Sequence, residues 1–133
     1  MAYINWQQEY SVNVDIIDAQ HRHFIDLLNR IYSTVQINEL DNLNVLIDEL
    51  VAYTKLHFET EEKYFKKFRY EGASEHIIEH KKLIASVGMF LDDKTNDPIT
   101  LGYALVDFLE DWLVNHLAVM DQKYSKCFKS HGL

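Results

Sequence analysis

Residues 57–80, HFETEEKYFKKFRYEGASEHIIEH, carry two pairs of ligand-type side chains four positions apart, His57/Glu61 and His76/His80, on either side of Gly72. Four residues take an α-helix just past one turn, so the members of each pair stand one above the other, only ~40° apart around the axis. The glycine between the pairs reads as a C-terminal helix signal, and Ser74 as the N-cap of the helix that follows. Helices joined by so short a connection run antiparallel. The end of one and the start of the next then lie side by side, with all four side chains at one level.

Outward from this hairpin, the apolar period predicts two more helices. Before it, Asp18 is read as the N-cap of a helix in which Phe24, Leu27, Leu28, Ile31, Tyr32 and Val35 recur at helical spacing, closed by the polar stretch 38–42. The second helix, about 41–69, has its stripe at Leu43, Leu46, Ile47, Leu50 and Thr54. The third carries His76, His80, Leu83, Val87 and Leu91. Asp97-Pro98 marks the start of the last, an N-cap followed by proline at the first helical position, and its stripe runs from Leu101 through Leu105, Phe108, Trp112 and His116. Residues 1–17 lack helical spacing and read as an extended arm. The expected fold is all-α: an up-down-up-down four-helix bundle over 18–128 with an N-terminal arm, forming a single domain over 1–133.

Composition agrees. One proline and four glycines among 133 residues disfavour a turn-rich β fold. Thirteen basic against 21 acidic residues give a net charge of −8, which argues against nucleic acid and anionic membrane as partners. Cys127 is the single cysteine, so no intrachain disulfide forms, and no run of about 18 apolar residues signals membrane insertion. With no leader pattern at Met1–Tyr10, a cytoplasmic monomer is expected.

The bundle topology brings further ligand types to the level of the first four. His21 lies at the start of the first helix, and His116 and Asp121 near the end of the last. Five residues separate His116 from Asp121, about 140° around a regular helix at ~100° per residue. Both face inward only if the helix widens between them, so a π-type bulge is expected near 117–121. Five imidazoles and two carboxylates exceed the roughly four ligands of one zinc ion and suit iron. If two octahedral ions share both carboxylates and one oxygen atom, the imidazoles and shared groups fill all but one of the coordination positions. A three-plus-two division of the histidines leaves that opening on the ion with fewer. A competing pattern, His76-x-x-Glu79-His80, matches an inverted zinc peptidase motif with Glu79 as general base, but leaves His21, His57, His116 and Asp121 unused. A di-iron oxidase or peroxidase of the carboxylate-rich type would carry paired Glu-x-x-His motifs, and no histidine here has a glutamate three before it.

Taken together, Asp18-x-Gln20-His21, His57-x-x-x-Glu61, His76-x-x-x-His80 and Trp112-Leu113-x-x-His116-x-x-x-x-Asp121 make the sequence resemble the hemerythrins, particularly the stand-alone bacteriohemerythrins. The resemblance implies that His76, His80 and His116 hold one iron and His21 and His57 the other. Glu61 and Asp121 would bridge them together with an oxo or hydroxo group, and O2 would bind reversibly at the open position. Storage, delivery or sensing of O2 is then the expected function, with no catalytic residues. Nitric oxide is a second candidate ligand, and an unidentified protein a candidate acceptor. Reversible binding needs a dry apolar wall, for which Phe24, Phe58, Trp112, Leu113 and Leu117 flank the ligands. Phe24 and Leu117 depart from the aliphatic residue and the isoleucine expected there. Tyr124, one turn after Asp121, is read as orienting a ligand or simply packing. His23 reads as a surface residue, His131 as part of a mobile tail, and Glu59 and Glu62 with Lys63, Lys66 and Lys67 as a solvated face.

Overall fold

A computed structural model describes residues 4–92 and 97–133. Its helices are α1 (Asp15–Gln36), α2 (Leu40–Phe68), α3 (Ala73–Asp92), α4 (Pro98–Asn115) and α5 (Gln122–Ser130), with a 3-10 turn at Gln8–Tyr10 and a π-helical turn at His116–Met120 linking α4 to α5. The first four form the expected four-helix bundle, in which α1 packs on α2 and α4, and α3 on α2 and α4. No helix among the described residues is long and apolar enough to cross a membrane.

Local chemistry explains most of the boundaries. Asp97 caps α4 as expected, accepting from the Ile99 and Thr100 amides at 3.0 Å, with Pro98 in the first turn. α2 ends on Arg69 in the left-handed region (φ 52°), and the Tyr70 amide returns to the Phe65 carbonyl at 3.0 Å. Gly72 is therefore not the left-handed residue. A Cβ on Gly72 would lie 2.6 Å from the Tyr70 hydroxyl, so it gives the Tyr70 ring room. α3 begins at Ala73, which puts Ser74 inside the helix rather than at its cap.

The arm is shorter than the sequence suggested. α1 starts at Asp15 behind Val14, three residues before Asp18. The Asp18 carboxylate does not cap its own helix. It accepts from the Val12 amide at 2.9 Å and the Ser11 hydroxyl at 2.6 Å, holding the arm down on the first turn. Ile17 is consequently buried and Ile16 exposed. At the arm's far end, Asn29 exchanges two 2.8 Å bonds with the Ile4 backbone. Ser125 reaches the Val12 carbonyl from α5 at 2.6 Å, and the Gln122 amide reaches those of Glu9, Ser11 and Leu117 at 3.1, 2.9 and 3.0 Å.

The interior consists of two apolar clusters. The larger runs along α1, α2 and α4 and includes Leu27, Leu28, Ile31, Leu50, Leu105 and Leu109. The smaller joins the arm to the end of α2 and to α5 through Val12, Val14, Ile17, Phe65, Tyr124 and Phe128. At Gly102, α4 approaches α1 so closely that a Cβ would sit 2.7 Å from a Val35 methyl.

Candidate metal centre

Between the two clusters lies a layer of buried polar side chains. His21, His57, Glu61, His76, His80, His116 and Asp121 are all buried, from 0% to 4% exposed, and the structure brings all seven together. They arrive from four elements at one end of the bundle: His21 from α1, His57 and Glu61 from α2, His76 and His80 from α3, and His116 and Asp121 from either end of the π turn. That turn is the widening expected from the five-residue spacing. The Asp121 amide bonds to the His116 carbonyl at 2.8 Å, an i to i+5 link that adds a residue to the turn and brings both side chains inward.

Ring nitrogens surround the two carboxylates. Asp121 Oδ1 stands 2.9 Å from Nε2 of both His76 and His116, and Oδ2 3.1 Å from Nε2 of His21. Glu61 Oε1 stands 3.2 Å from Nε2 of both His57 and His80. Each carboxylate thus reaches histidines on both sides of the layer. Donor atoms within 4.8 Å of one another form two overlapping groups, Glu61 with His76, His80 and His116, and His21, His57, Glu61 and Asp121. The histidines divide three and two.

Hydrogen bonds on the outer ring nitrogens fix which inner nitrogens carry lone pairs. His57 Nδ1 is 2.7 Å from the Gln20 amide oxygen, and His80 Nδ1 is 3.0 Å from a Glu62 carboxylate oxygen. Both partners only accept, so Nδ1 carries the proton and Nε2 points a lone pair at the centre. Among the described residues, none of the four carboxylate oxygens of Glu61 and Asp121 accepts a hydrogen bond of ordinary geometry, and His21 and His57 set their Nε2 atoms 3.1 Å apart. A buried layer of acceptors facing acceptors is stable only when cations or protons fill it. Without a cation, protons do so. Burial and the Asp121 charge push the Glu61 carboxyl up, but His57 and His80 outweigh them and hold it below its ordinary range. Asp121 is likewise raised by burial and lowered further by His116, His21 and His76, ending well below. Burial pushes the His57 imidazole down, and Glu61 more than reverses this. The donor set therefore fits hard divalent or trivalent cations with imidazole affinity.

Two aromatic side chains pack on histidine rings of the layer. Phe58 stacks on the His80 ring at 3.7 Å, and Trp112 on the His116 ring at 4.2 Å. Phe24, Leu113 and Leu117 are buried, and Trp112 is half-buried. Tyr124 is fully buried beside His76, its hydroxyl without a partner among the described residues.

Several side chains sit elsewhere than the sequence suggested. Gln20 and Glu62 orient the His57 and His80 rings, a role the sequence analysis missed; Glu62 had been read as part of a solvated face. Gln20 adjoins His21 and faces His57 across the bundle, and only this juxtaposition reveals its role. His23 is half-buried against the Tyr53 ring at 4.3 Å, and His131 stacks on Phe68 at 4.6 Å. Glu79 pairs with Lys82 at 3.6 Å on the solvent side of α3, away from Nε2 of His76 and His80. That placement removes the general base of the zinc peptidase reading.

Comparison with known proteins follows the same lines. Residues 12–127 match the hemerythrin HHE cation binding domain. A bacteriohemerythrin of Methylococcus capsulatus is 28% identical over 98% of this chain and 100% of its own length. One of Stenotrophomonas maltophilia is 31% identical over 98% of this chain and 85% of its own. The crystal structure of wild-type hemerythrin superposes with a TM-score of 0.81 at 27% identity, covering 95% of this chain and 98% of that one. With its helices, its buried histidine–carboxylate layer and its relatives in agreement over nearly the full length, the chain belongs to the hemerythrin family.

Proposed function

We propose that the protein holds two iron ions between His21, His57, Glu61, His76, His80, His116 and Asp121 and binds O2 reversibly, as a storage, delivery or sensing protein rather than an enzyme. The observation that carries this reading is the pair of fully buried carboxylates that accept no hydrogen bond of ordinary geometry among the described residues, each flanked by imidazole nitrogens from both sides. When bound, two irons with an oxo or hydroxo bridge supply the electrons that O2 takes up on binding and returns on release.

The chain's own residues do the rest. His76, His80 and His116 would hold one ion and His21 and His57 the other, with Glu61 and Asp121 shared, so the position left open lies on the two-histidine side. Gln20 and Glu62 keep Nε2 of His57 and His80 aimed inward. Phe24, Phe58, Trp112, Leu113 and Leu117 exclude the water and protons that would strip a bound oxygen species from the site. Neutral imidazoles outnumber carboxylates, which favours the ferrous state and reversible binding over oxygen activation. The same reading makes residues 1–133 one domain, acting as a cytoplasmic monomer.

The test is the visible absorption spectrum of iron-loaded, anaerobically reduced protein before air, after air and after oxygen removal. A charge-transfer band that comes with O2 and goes with its removal is expected. A one-way ferric spectrum would replace the carrier by an oxidase or peroxidase, and the lack of any iron-dependent band would reject the di-iron centre.

A further inference from the structure

Seven of the thirteen lysines and arginines fall in two short segments that contain no aspartate or glutamate, 63–69 at the end of α2 and 122–130 in α5. The fold packs these segments against each other: the Phe128 ring lies 5.7, 5.8 and 5.6 Å from those of Tyr64, Phe65 and Phe68. Lys63 and Lys67 are exposed, their ammonium groups 5.5 Å over Tyr64 and 5.7 Å over Phe68. No lysine of either segment makes an ion pair among the described residues. A chain of net charge −8 thus gathers unpaired positive charge on the face where the end of α2 meets α5, around partly exposed aromatic rings, with Glu59, Glu62 and Glu71 flanking the α2 segment in sequence.

Beneath that face a series of rings leads inward. Phe68 is 5.6 Å from Phe128, Phe128 stacks on Tyr124 at 4.4 Å, and Tyr124 is 5.5 Å from His76. Three ring-to-ring steps therefore join the cationic face to the buried layer. An iron site that loses bound oxygen together with its electrons is left ferric and needs an outside reductant. Because its histidines and carboxylates are all buried, that reductant must act from the surface, and tunnelling falls off steeply with distance.

We propose that the face formed by the end of α2 and α5 docks an acidic one-electron redox protein that returns the ferric centre to the ferrous state. The inference rests on the di-iron reading above. Two successive encounters each deliver one electron, reducing both ions, and one solvent proton converts an oxo bridge to hydroxo. Transient electron-transfer contacts are small, and the charge of this patch steers an anionic partner locally although the whole chain repels anions.

That opposition gives the test its sign. The probe is a plant-type [2Fe–2S] ferredoxin, an acidic protein, used reduced in stopped-flow reduction of the oxidised iron-loaded protein and oxidised in fluorescence-anisotropy binding. The reduction rate should fall as ionic strength rises, and Lys63→Glu with Lys67→Glu should lower it about tenfold at low salt. Binding should weaken in parallel, with the iron spectrum and melting temperature unchanged. A rate that rises with salt, or one the double variant leaves alone, would overturn the proposal, as would binding of the face to anionic lipid vesicles but not to ferredoxin. The binding arm does not depend on iron. A missing iron spectrum with intact ferredoxin binding would therefore refute the di-iron reading and leave the docking face standing.

Discussion

Replacing Gln20 with leucine keeps the bulk of the side chain and removes the acceptor that holds His57 Nδ1 at 2.7 Å. The freed N–H is buried, since His57 is only 4% exposed, so water does not readily take the place of the amide oxygen. The ring loses both its orientation and its tautomeric bias, and Nε2 is no longer fixed toward the centre. Removing such an outer partner costs 10–100-fold in metal affinity, or roughly 1.4–2.7 kcal/mol. The structure places Gln20→Leu near the upper end, because His57 is one of only two histidines on its side, and a loss on the order of 100-fold is expected for one of the two ions. Glu62→Gln is the internal control: the side chain is 36% exposed and the amide oxygen still accepts from His80 Nδ1, so less than about tenfold is expected. Competition with a chelator of known affinity, with iron counted per chain, reads both effects. Wild-type affinity for both ions in Gln20→Leu, or a larger loss in Glu62→Gln, would refute the argument that the outer hydrogen bond sets the inner nitrogen.

Inserting one alanine after Val119 should set His116 and Asp121 six residues apart and rotate Asp121 by ~100° out of the layer. Iron stoichiometry per chain should fall below two, whereas Val119→Ala, at a 54% exposed position, should leave it unchanged and shift stability by less than ~0.5 kcal/mol. Gly102→Ala forces a Cβ to 2.7 Å from Val35, a stiff β-branched side chain that is 1% exposed. Overpacking of about 1–3 kcal/mol set against a helix-propensity gain of ~1 kcal/mol leaves a net destabilisation of about 1 kcal/mol. In urea unfolding, adding Val35→Ala should cost less than the sum of the two single changes. In the iron-free protein the raised His57 contributes stability that is present below its unfolded value of about 6.5 and lost as pH rises through its higher folded value. Glu61 and Asp121, both depressed, contribute stability above about pH 4 that is lost as pH falls. Melting temperature of the iron-free protein should therefore peak in mildly acidic solution. The iron-loaded protein should instead gain stability above pH 6.5, since metal replaces those protons; parallel pH profiles for the two forms would contradict this.

The sequence by itself determined the helices, the face of each that turns inward and even the π turn. All of these follow from a fixed rotation per residue: His57 to Glu61 and His76 to His80 keep one face, while His116 to Asp121 cannot without an added residue. Ends of elements were legible where a cap acts on its own helix, as at Asp97, and misread where the residue serves something else. Asp18 holds the arm and leaves the first helix to begin at Asp15, and Arg69, not Gly72, takes the left-handed turn. Only the tertiary structure decided what stands behind the ligands and what covers them. Gln20 meets His57 across 37 positions, Glu62 meets His80 across 18, and Gln122 ties down the arm's Ser11 carbonyl across 111. No local period encodes such pairs, because they exist only once helices from distant parts of the chain pack at a particular distance and rotation. The same packing stacks the basic ends of α2 and α5 over rings that reach His76, turning two ordinary lysine-rich segments into one face.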